Sequence, residues 1–345
     1  MALGPDEAAQ YLWIPLESLG LVDAEDQAAM ERLKPRLRKR KCAAWLGSGM
    51  SQPLYKSWDE LLEGIGEAAG LAREPGEGGP AFVQRCKVGL EEAAQGGYAQ
   101  ALAEVFHPML PAHLCMDRHY ELVRTGFVCY VTTNFDRCME HAAREDDVCE
   151  WHAWPETSPA SAIEAYEERH LYHIHGVDTS QAPYGPACGF PNVVLASEEY
   201  AKAYNGDDRL WTFLRVLWSS VSVLFCGYGF REETFLQVVE HYAEAEAKVQ
   251  QNVTGLGGSV ETPEHFALWR CEADWDEERR QLKVEREIAS GTRNEVRARF
   301  ERHVPHFTLT PILYADGGGG SHHYLNRILR HLARECAYRK PRTLP

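Results

Sequence analysis

Apolar positions along the chain fall into short unbroken runs separated by longer stretches with helical spacing. Cys42-Ala-Ala-Trp-Leu46, Phe127 to Val131, Leu171 to His175 and Val221 to Cys226 are such runs. They are too short for helices and each ends in turn residues, so each reads as a buried strand. Asn192 to Leu195, His265 to Trp269 and His306 to Leu313 add further strands. Helical spacing covers residues 24–41, where a basic connector follows, and the stretch from Ser57, which has a cap residue, acids in its first turn and apolar residues at 58, 61, 62 and 65. It returns at Arg137 to Glu145, from Ser197, at Asp208 to Trp218, Glu232 to Glu246, about 274–301 and 322–337.

Strands separated by helices imply parallel pairing, because every parallel connection needs a crossover. The expected fold is therefore α/β: a Rossmann-like, doubly wound, mainly parallel sheet with helices on both faces. Gly70 to Gly97 shifts toward Gly, Pro, Glu and Ala, while Tyr98 to His107 and Asp117 to Thr125 recover helical spacing, which places an inserted, mainly helical portion at about 70–126. The chain then divides into an N-terminal helical segment with its basic connector (1–41), a main domain (42–315), and a Gly-rich joint with a basic C-terminal helix (316–345).

Composition changes this picture little. At 345 residues, 44% apolar and 25% charged, the chain is long enough for a sizeable core and reads as folded throughout. The N-terminus lacks a basic start and apolar run, and Leu210 to Phe230 is interrupted by Arg215, Ser219, Ser220 and Ser222. The expectation is a cytoplasmic protein with no membrane span. None of the 10 cysteines has Cys-x-x-Cys spacing, so no structural zinc or other metal is expected. Cys42, Cys129 and Cys226 sit among apolar neighbours and read as small buried hydrophobes in a reducing compartment.

Charge matters more. A net charge of −15 argues against direct nucleic-acid binding. Two segments run the other way: Glu31 to Lys41 carries seven basic residues and His322 to Pro345 carries six. They form either solvated faces or docking sites for an acidic partner or another subunit.

Ligands gather at the carboxyl ends of parallel strands. That rule groups four turns: 47–51, 132–136, 175–176 and 227–229. Gly47-Ser-Gly-Met-Ser51 follows a strand, so its backbone N–H groups could cradle a diphosphate against a positive helix end, although two glycines also make an ordinary turn. Thr132-Thr-Asn-Phe-Asp136 puts polar groups after a strand with Phe135 as an anchor; an Asn or Asp there also caps a helix. His173-Ile-His175-Gly176 closes the next strand, with both histidines expected on one face by alternation. A structural histidine is the alternative. Gly227-Tyr-Gly229 is a further glycine turn.

In this order, Gly47-Ser-Gly-Met-Ser51, Thr132-Thr-Asn-Phe-Asp136, His173-Ile-His-Gly176 and Gly227-Tyr-Gly229 resemble the sirtuin-like NAD hydrolases of bacterial antiphage defence and their eukaryotic relatives. Lys56-Ser-Trp-Asp-Glu-Leu61, Val194-Leu-Ala-Ser-Glu-Glu-Tyr200 and His265-Phe-Ala-Leu268 add to the likeness, which spans about 42–270. The resemblance implies that Gly47, Ser48, Gly49 and Ser51, with Thr132 and Thr133, line the diphosphate and ribose of NAD. It places Gly227, Tyr228 and Gly229 near the adenosine half. It implies that Asn134 holds the ribose hydroxyls and the attacking water, that Asp136 meets the nicotinamide end, and that His175 is the base. The chemistry agrees: nicotinamide leaves neutral from a cationic pyridinium and needs no general acid, so the demands are stabilising an oxocarbenium-like ribose and orienting a nucleophile.

The sequence departs from protein-deacylating sirtuins. Gln52-Pro-Leu-Tyr-Lys-Ser57 stands where they carry Gly-Ile-Pro-Asp-Phe-Arg, Thr133 replaces a Gln, and no zinc module is present. Water is therefore the expected acceptor, giving nicotinamide and ADP-ribose with some cyclised product. The resemblance also implies a homo-oligomer or filament, with activity gated by assembly or by a regulatory protein partner. Two alternatives remain: transfer to a protein nucleophile, as in a deacylase or ADP-ribosyltransferase, and an NAD-binding assembly protein with little catalysis.

Overall fold

The computed structural model describes residues 11–14, 18–110, 115–146, 151–153, 169–177, 193–205, 208–230, 263–276, 281–301, 308–316 and 323–338. The helix expected at 232–246 and the glycine joint at 317–320 lie outside the described residues.

Strand β1 (Tyr11–Ile14) precedes helix α1 (Ala24–Arg38), whose Asp23 cap accepts from the backbone of Glu25 and Asp26 while Asp26 reaches back in a capping box. Strand β2 (Cys42–Leu46) is buried along its whole length and ends in a single 3₁₀ turn, Ser48–Met50. Helix α2 (Trp58–Ala69) starts at the reciprocal cap Ser57/Glu60 and stops at Gly70, φ +66°. Helices α3 (Gly79–Ala93), α4 (Gly97–Val105) and α5 (Asp117–Arg124) follow. Next come β3 (Tyr130–Thr132), α6 (Cys138–Asp146), β4 (Trp151–Ala153), β5 (Leu171–His173), α7 (Ser197–Asn205) and α8 (Asp208–Ser220). The chain continues through β6 (Ser222–Cys226), β7 (His265–Glu272), β8 (Asp274–Asp276), β9 (Gln281–Glu285), α9 (Arg286–Glu301), β10 (Leu309–Asp316) and α10 (His323–Glu335).

The fold is α/β and Rossmann-like, and the chain forms two compact units. The first comprises residues 1–45, 120–128 and 218–345. In it the strand order is β10-β7-β6-β2, with β10 parallel to β7 from Leu309↔His265 to Asp316↔Glu272 and β6 parallel to β7. A separate antiparallel sheet, β1-β9-β8, pairs Tyr11 with Glu285 and Asp274 with Lys283. Helix α10 buries Tyr324, Leu325, Ile328, Leu329 and Leu332, a stripe at three- and four-residue spacing. The backbone around Gly126 passes so close to the carbonyls of Leu37 and Cys336 that a Cβ there would lie 2.8 and 3.0 Å from them.

The second unit comprises residues 46–119 and 129–217. Strands β3 and β4 both run parallel to β5. Leu61, Leu62 and Ile65 of α2, Phe82 and Val83 of α3 and Leu102 of α4 share one core with Phe135 and Leu195.

Four expectations change. The segment about 274–301 is not all helix: β8 and β9 precede α9, because Gln281–Glu285 finds a strand partner in Tyr11–Ile14. That partner lies in the segment 1–41 expected to be helical. Residues 193–195 are not a strand, although Val194 N–H donates to the His175 carbonyl at 2.9 Å. Finally, β5 ends at His173, so alternation does not carry on to His175.

Cys42, Cys129 and Cys226 are buried thiols, as their apolar neighbours predict, and burial pushes the Cys226 thiol up. The basic run of α1 is largely used within the first unit: Arg32 and Arg36 meet Glu264 at 3.1 and 3.3 Å, and Arg38 meets Glu335 of α10 at 3.2 Å.

Candidate functional site

The turn after β2 and the loop after β3 are laced together. Thr132 Oγ1 donates to the Leu46 carbonyl at 3.2 Å and accepts from the Asn134 N–H at 3.0 Å; Thr133 N–H donates to Leu46 O at 3.3 Å. The Asn134 amide nitrogen donates to the Gly47 carbonyl at 3.0 Å and to Ser51 Oγ at 3.3 Å. Ser51 Oγ in turn donates to Asp136 Oδ2 at 2.6 Å, and Asp136 Oδ1 accepts from the Cys138 N–H at 3.0 Å. Asp136 therefore ties the entrance of α6 to the glycine turn.

These contacts fix which way the Asn134 amide points. Only nitrogen can face the Gly47 carbonyl, which accepts and cannot donate. Both amide hydrogens are then used inside the protein, and no donor among the described residues reaches Oδ1. Phe135 anchors the loop from below, edge-on to Phe106 at 5.7 Å, as expected.

Behind this loop lies a buried charged group. His173 Nδ1 is 3.2 Å from the Asn134 carbonyl, and Nε2 is 3.3 Å from Glu140 Oε2. Glu140 Oε1 accepts from Arg137 Nε at 3.2 Å. His173, Glu140 and Arg137 are 1%, 4% and 2% exposed, so water screens none of them. Burial alone would lower the His173 pKa, but the neighbouring Glu140 charge lifts it above the ordinary histidine value. Burial likewise opposes ionisation of Glu140, and His173 followed by Arg137 holds it below the usual carboxylate range.

His175 lives in different surroundings. Its Nε2 meets the Tyr204 hydroxyl at 2.6 Å, and the rings of Tyr200 and Tyr204, stacked on each other, present their edges or faces to the imidazole at 5.2 and 5.8 Å. Desolvation lowers its pKa to about 3, so the ring is neutral. The following Gly176 has φ +83°, a left-handed turn that redirects the chain immediately after the histidine. Asn134 and His175 make no hydrogen bond to each other; the Ile174 N–H, donating to the Thr132 carbonyl at 3.0 Å, ties their two segments together.

The structure thus brings Gly47, Ser51, Thr132, Thr133, Asn134 and Asp136 into one network. Ser48 and Gly49 occupy the same turn and are partly exposed. The turn itself is a single 3₁₀ turn, and α2 starts at Trp58, after Pro53 and Leu54, at the Ser57 cap expected from sequence. A phosphate there would rest on turn amides alone. Gly227, Tyr228 and Gly229 belong to the first unit, where Tyr228 is 7% exposed and packs on Trp45, Phe225 and Phe230. Gly227 has φ +62°.

Sequence reasoning missed four residues. Tyr204, Glu140 and Arg137 are described above; the fourth, Arg118, is 1% exposed and donates from Nε to the Met50 carbonyl at 2.7 Å and from Nη2 to that of Gln52, clamping the far end of the glycine turn. Arg137 and Glu140 sit one helical turn apart directly after Asp136, a spacing that is visible in the sequence but reads equally well as a solvated helix face.

Among the described residues no group of three His, Cys, Asp or Glu is arranged to hold a metal ion, and no helix is long and apolar enough to cross a membrane. No curated protein matches the chain. Residues 128–289 match the family model described as a SIR2-like domain, a segment that holds Asn134, His173, His175 and the Gly227 turn but begins beyond the first glycine turn. A SIR2-like domain implies NAD binding, and the match supports a sirtuin-like assignment for this segment.

Proposed function

We propose that the protein is an NAD glycohydrolase that breaks the nicotinamide–ribose bond with water, giving nicotinamide, ADP-ribose and a proton. The observation that carries this reading is the Asn134 amide: two internal acceptors consume its hydrogens, and its oxygen stays open as an acceptor. An acceptor of fixed direction suits a ribose hydroxyl and an attacking water, and its negative end favours positive charge developing on the sugar. Gly47, Ser48, Gly49 and Ser51 with Thr132 and Thr133 hold the substrate's diphosphate and ribose, and Asp136 keeps Ser51 and the nicotinamide end in place. Gly227, Tyr228 and Gly229 serve the adenosine half.

His175 takes the proton of the incoming water. Tyr204 engages Nε2, so Nδ1 is the nitrogen left for the task. The leaving group departs neutral, so the protein need only orient the water, accept one proton and stabilise the cationic ribose. No metal takes part. The reading extends to a cytoplasmic homo-oligomer or filament whose hydrolase activity is gated by assembly or by a regulatory protein partner, in antiphage defence or other NAD-depletion signalling.

Purified protein incubated with NAD, with nicotinamide, ADP-ribose and cyclic product resolved, tests this. Asn134→Ala should reduce kcat by about 10²–10³-fold, as for loss of an oriented polar group in a preorganised site. If wild type is active and both Asn134→Ala and His175→Ala keep full activity, the site assignment is wrong. The burial of His175, whose pKa lies near 3, favours one other reading: an NAD-binding assembly protein with little catalysis. It predicts polymerisation and NAD binding without nicotinamide release.

A further inference from the structure

We infer that His173, held by Glu140, is the positioning residue for Asn134, and that the loop is properly held only while both ring nitrogens of His173 carry hydrogen. The inference rests on the NAD-cleaving reading of the site for its kinetic consequence, though not for its structural one.

The geometry carries it. Both nitrogens of His173 lie close to an oxygen: Nδ1 is 3.2 Å from the Asn134 carbonyl oxygen, and Nε2 is 3.3 Å from Glu140 Oε2, within ion-pair range though outside hydrogen-bond geometry. A neutral imidazole has one N–H and one lone pair. In one tautomer the lone pair would confront the Glu140 carboxylate; in the other it would confront the carbonyl. Only the imidazolium is attracted to both oxygens.

The remaining charged groups around the ring agree. Glu140 and Arg137 approach from α6 and its entrance, and Asp136 from the loop; each carboxylate favours the charged ring, while Arg137 is taken up by Glu140 at 3.2 Å. Burial opposes the charge, and the neighbours overcome it.

The functional consequence runs through a single residue. The Asn134 backbone is fixed at its N–H by Thr132 and at its carbonyl by His173, and its side chain is fixed at Gly47 and Ser51. Loss of the His173 proton turns one attractive contact into a repulsive one and frees the carbonyl end, so Oδ1 loses its aim. Activity should then fall on the alkaline side of the histidine's pKa.

Three measurements test this. In wild type, kcat for NAD cleavage should show an alkaline limb. His173→Asn keeps a donor in the place of Nδ1 but cannot titrate. It should retain kcat within about tenfold of wild type and lose the limb, whereas His173→Leu, folded by circular dichroism, should lose about 10²-fold in kcat, the scale of a misplaced reacting group, with KM little changed. Glu140→Gln should move the limb to lower pH. An unchanged limb in both His173→Asn and Glu140→Gln overturns the inference. If wild type releases no nicotinamide, the glycohydrolase reading has failed, and the imidazole ¹⁵N spectrum of the free protein, assigned with His173→Asn, decides alone: both nitrogens protonated at pH 7 supports the inference, and a neutral single tautomer overturns it.

Discussion

Ser51 shows how closely the site is wired at the level of single atoms. Its hydroxyl donates to Asp136 and accepts from Asn134, in a position only 1% exposed. Ser51→Ala leaves a buried carboxylate oxygen and a half-buried amide hydrogen without partners, which should cost about 1–3 kcal/mol of stability. It should also lower kcat by about tenfold, because Asn134 keeps only Gly47 as its side-chain tether. Urea unfolding and nicotinamide release measure the two effects; a variant as stable as wild type would show that the network is not formed. The buried histidines give a second residue-level expectation. Desolvation lowers His175 to about 3 and His119 to about 4, well below the 6.5 of an exposed ring. Between those values and pH 6.5 the unfolded chain binds protons that the folded one does not, so stability rises with pH across that window and is fully present above it. His173 works in the opposite sense, since its raised pKa contributes stability that is present below pH 6.5 and lost as pH climbs past its folded value. Unfolding free energy should therefore drop from pH 6.5 to pH 5, by about 1.4 kcal/mol per pH unit for each neutral histidine that must charge. A flat profile across that interval would mean these rings are hydrated.

At the scale of elements, what was legible in the sequence was whatever has a local cause. Continuous apolar runs gave β2, β3, β5 and β6, and the Ser57/Glu60 cap gave α2 within a residue of its start. The site motifs lie where strand ends put them: the network joining Gly47, Ser51, Asn134 and Asp136 is assembled from two turns that sequence alone placed at one sheet edge. Elements with distant causes were not legible. Gln281–Glu285 alternates, yet its charged neighbours read as helix, and only pairing with Tyr11–Ile14 makes it a strand. Tyr204 could not be connected with His175 because nothing local distinguishes it from other aromatic residues on an amphipathic helix. The same limit hid Asp26. Its side chain lies on α1, is 0% exposed, accepts from the Leu313 N–H of β10 at 2.8 Å and meets Arg293 of α9 at 3.0 Å, so it joins three elements of the first unit. Asp26→Ala should destabilise that unit by about 2–4 kcal/mol, somewhat less than for an isolated buried pair, because Asp23 and Glu25 still face Arg293. Denaturant unfolding followed by tryptophan fluorescence reads this directly, and a change under 1 kcal/mol would remove Asp26 as a junction.

For the whole molecule, the proposed glycohydrolase activity raises the question of how such a centre would be kept quiet. In this conformation His175 is 1% exposed, its Nε2 is engaged by Tyr204, and desolvation holds its pKa near 3, so it is a weak proton acceptor at neutral pH. A base of that kind works well only after its surroundings change. Any state in which α7 draws back and hydrates the imidazole returns the ring toward 6.5 and raises its power as a base. A partner or a second copy that binds such a state more tightly than the resting one shifts the population toward it by mass action. In the basic run that begins on α1, Arg32, Arg36 and Arg38 face Glu264 and Glu335, and the exposed Lys39 and Lys41 are left for that contact. Two consequences should appear together. Nicotinamide released per protomer should rise with protein concentration across the range where sedimentation shows assembly, and the acid limb of kcat/KM should move from near pH 3 in dilute protein toward pH 6.5 in assembled protein. A specific activity independent of concentration, with the acid limb fixed at one pH throughout, would mean that the resting centre is already the working one and that regulation lies elsewhere.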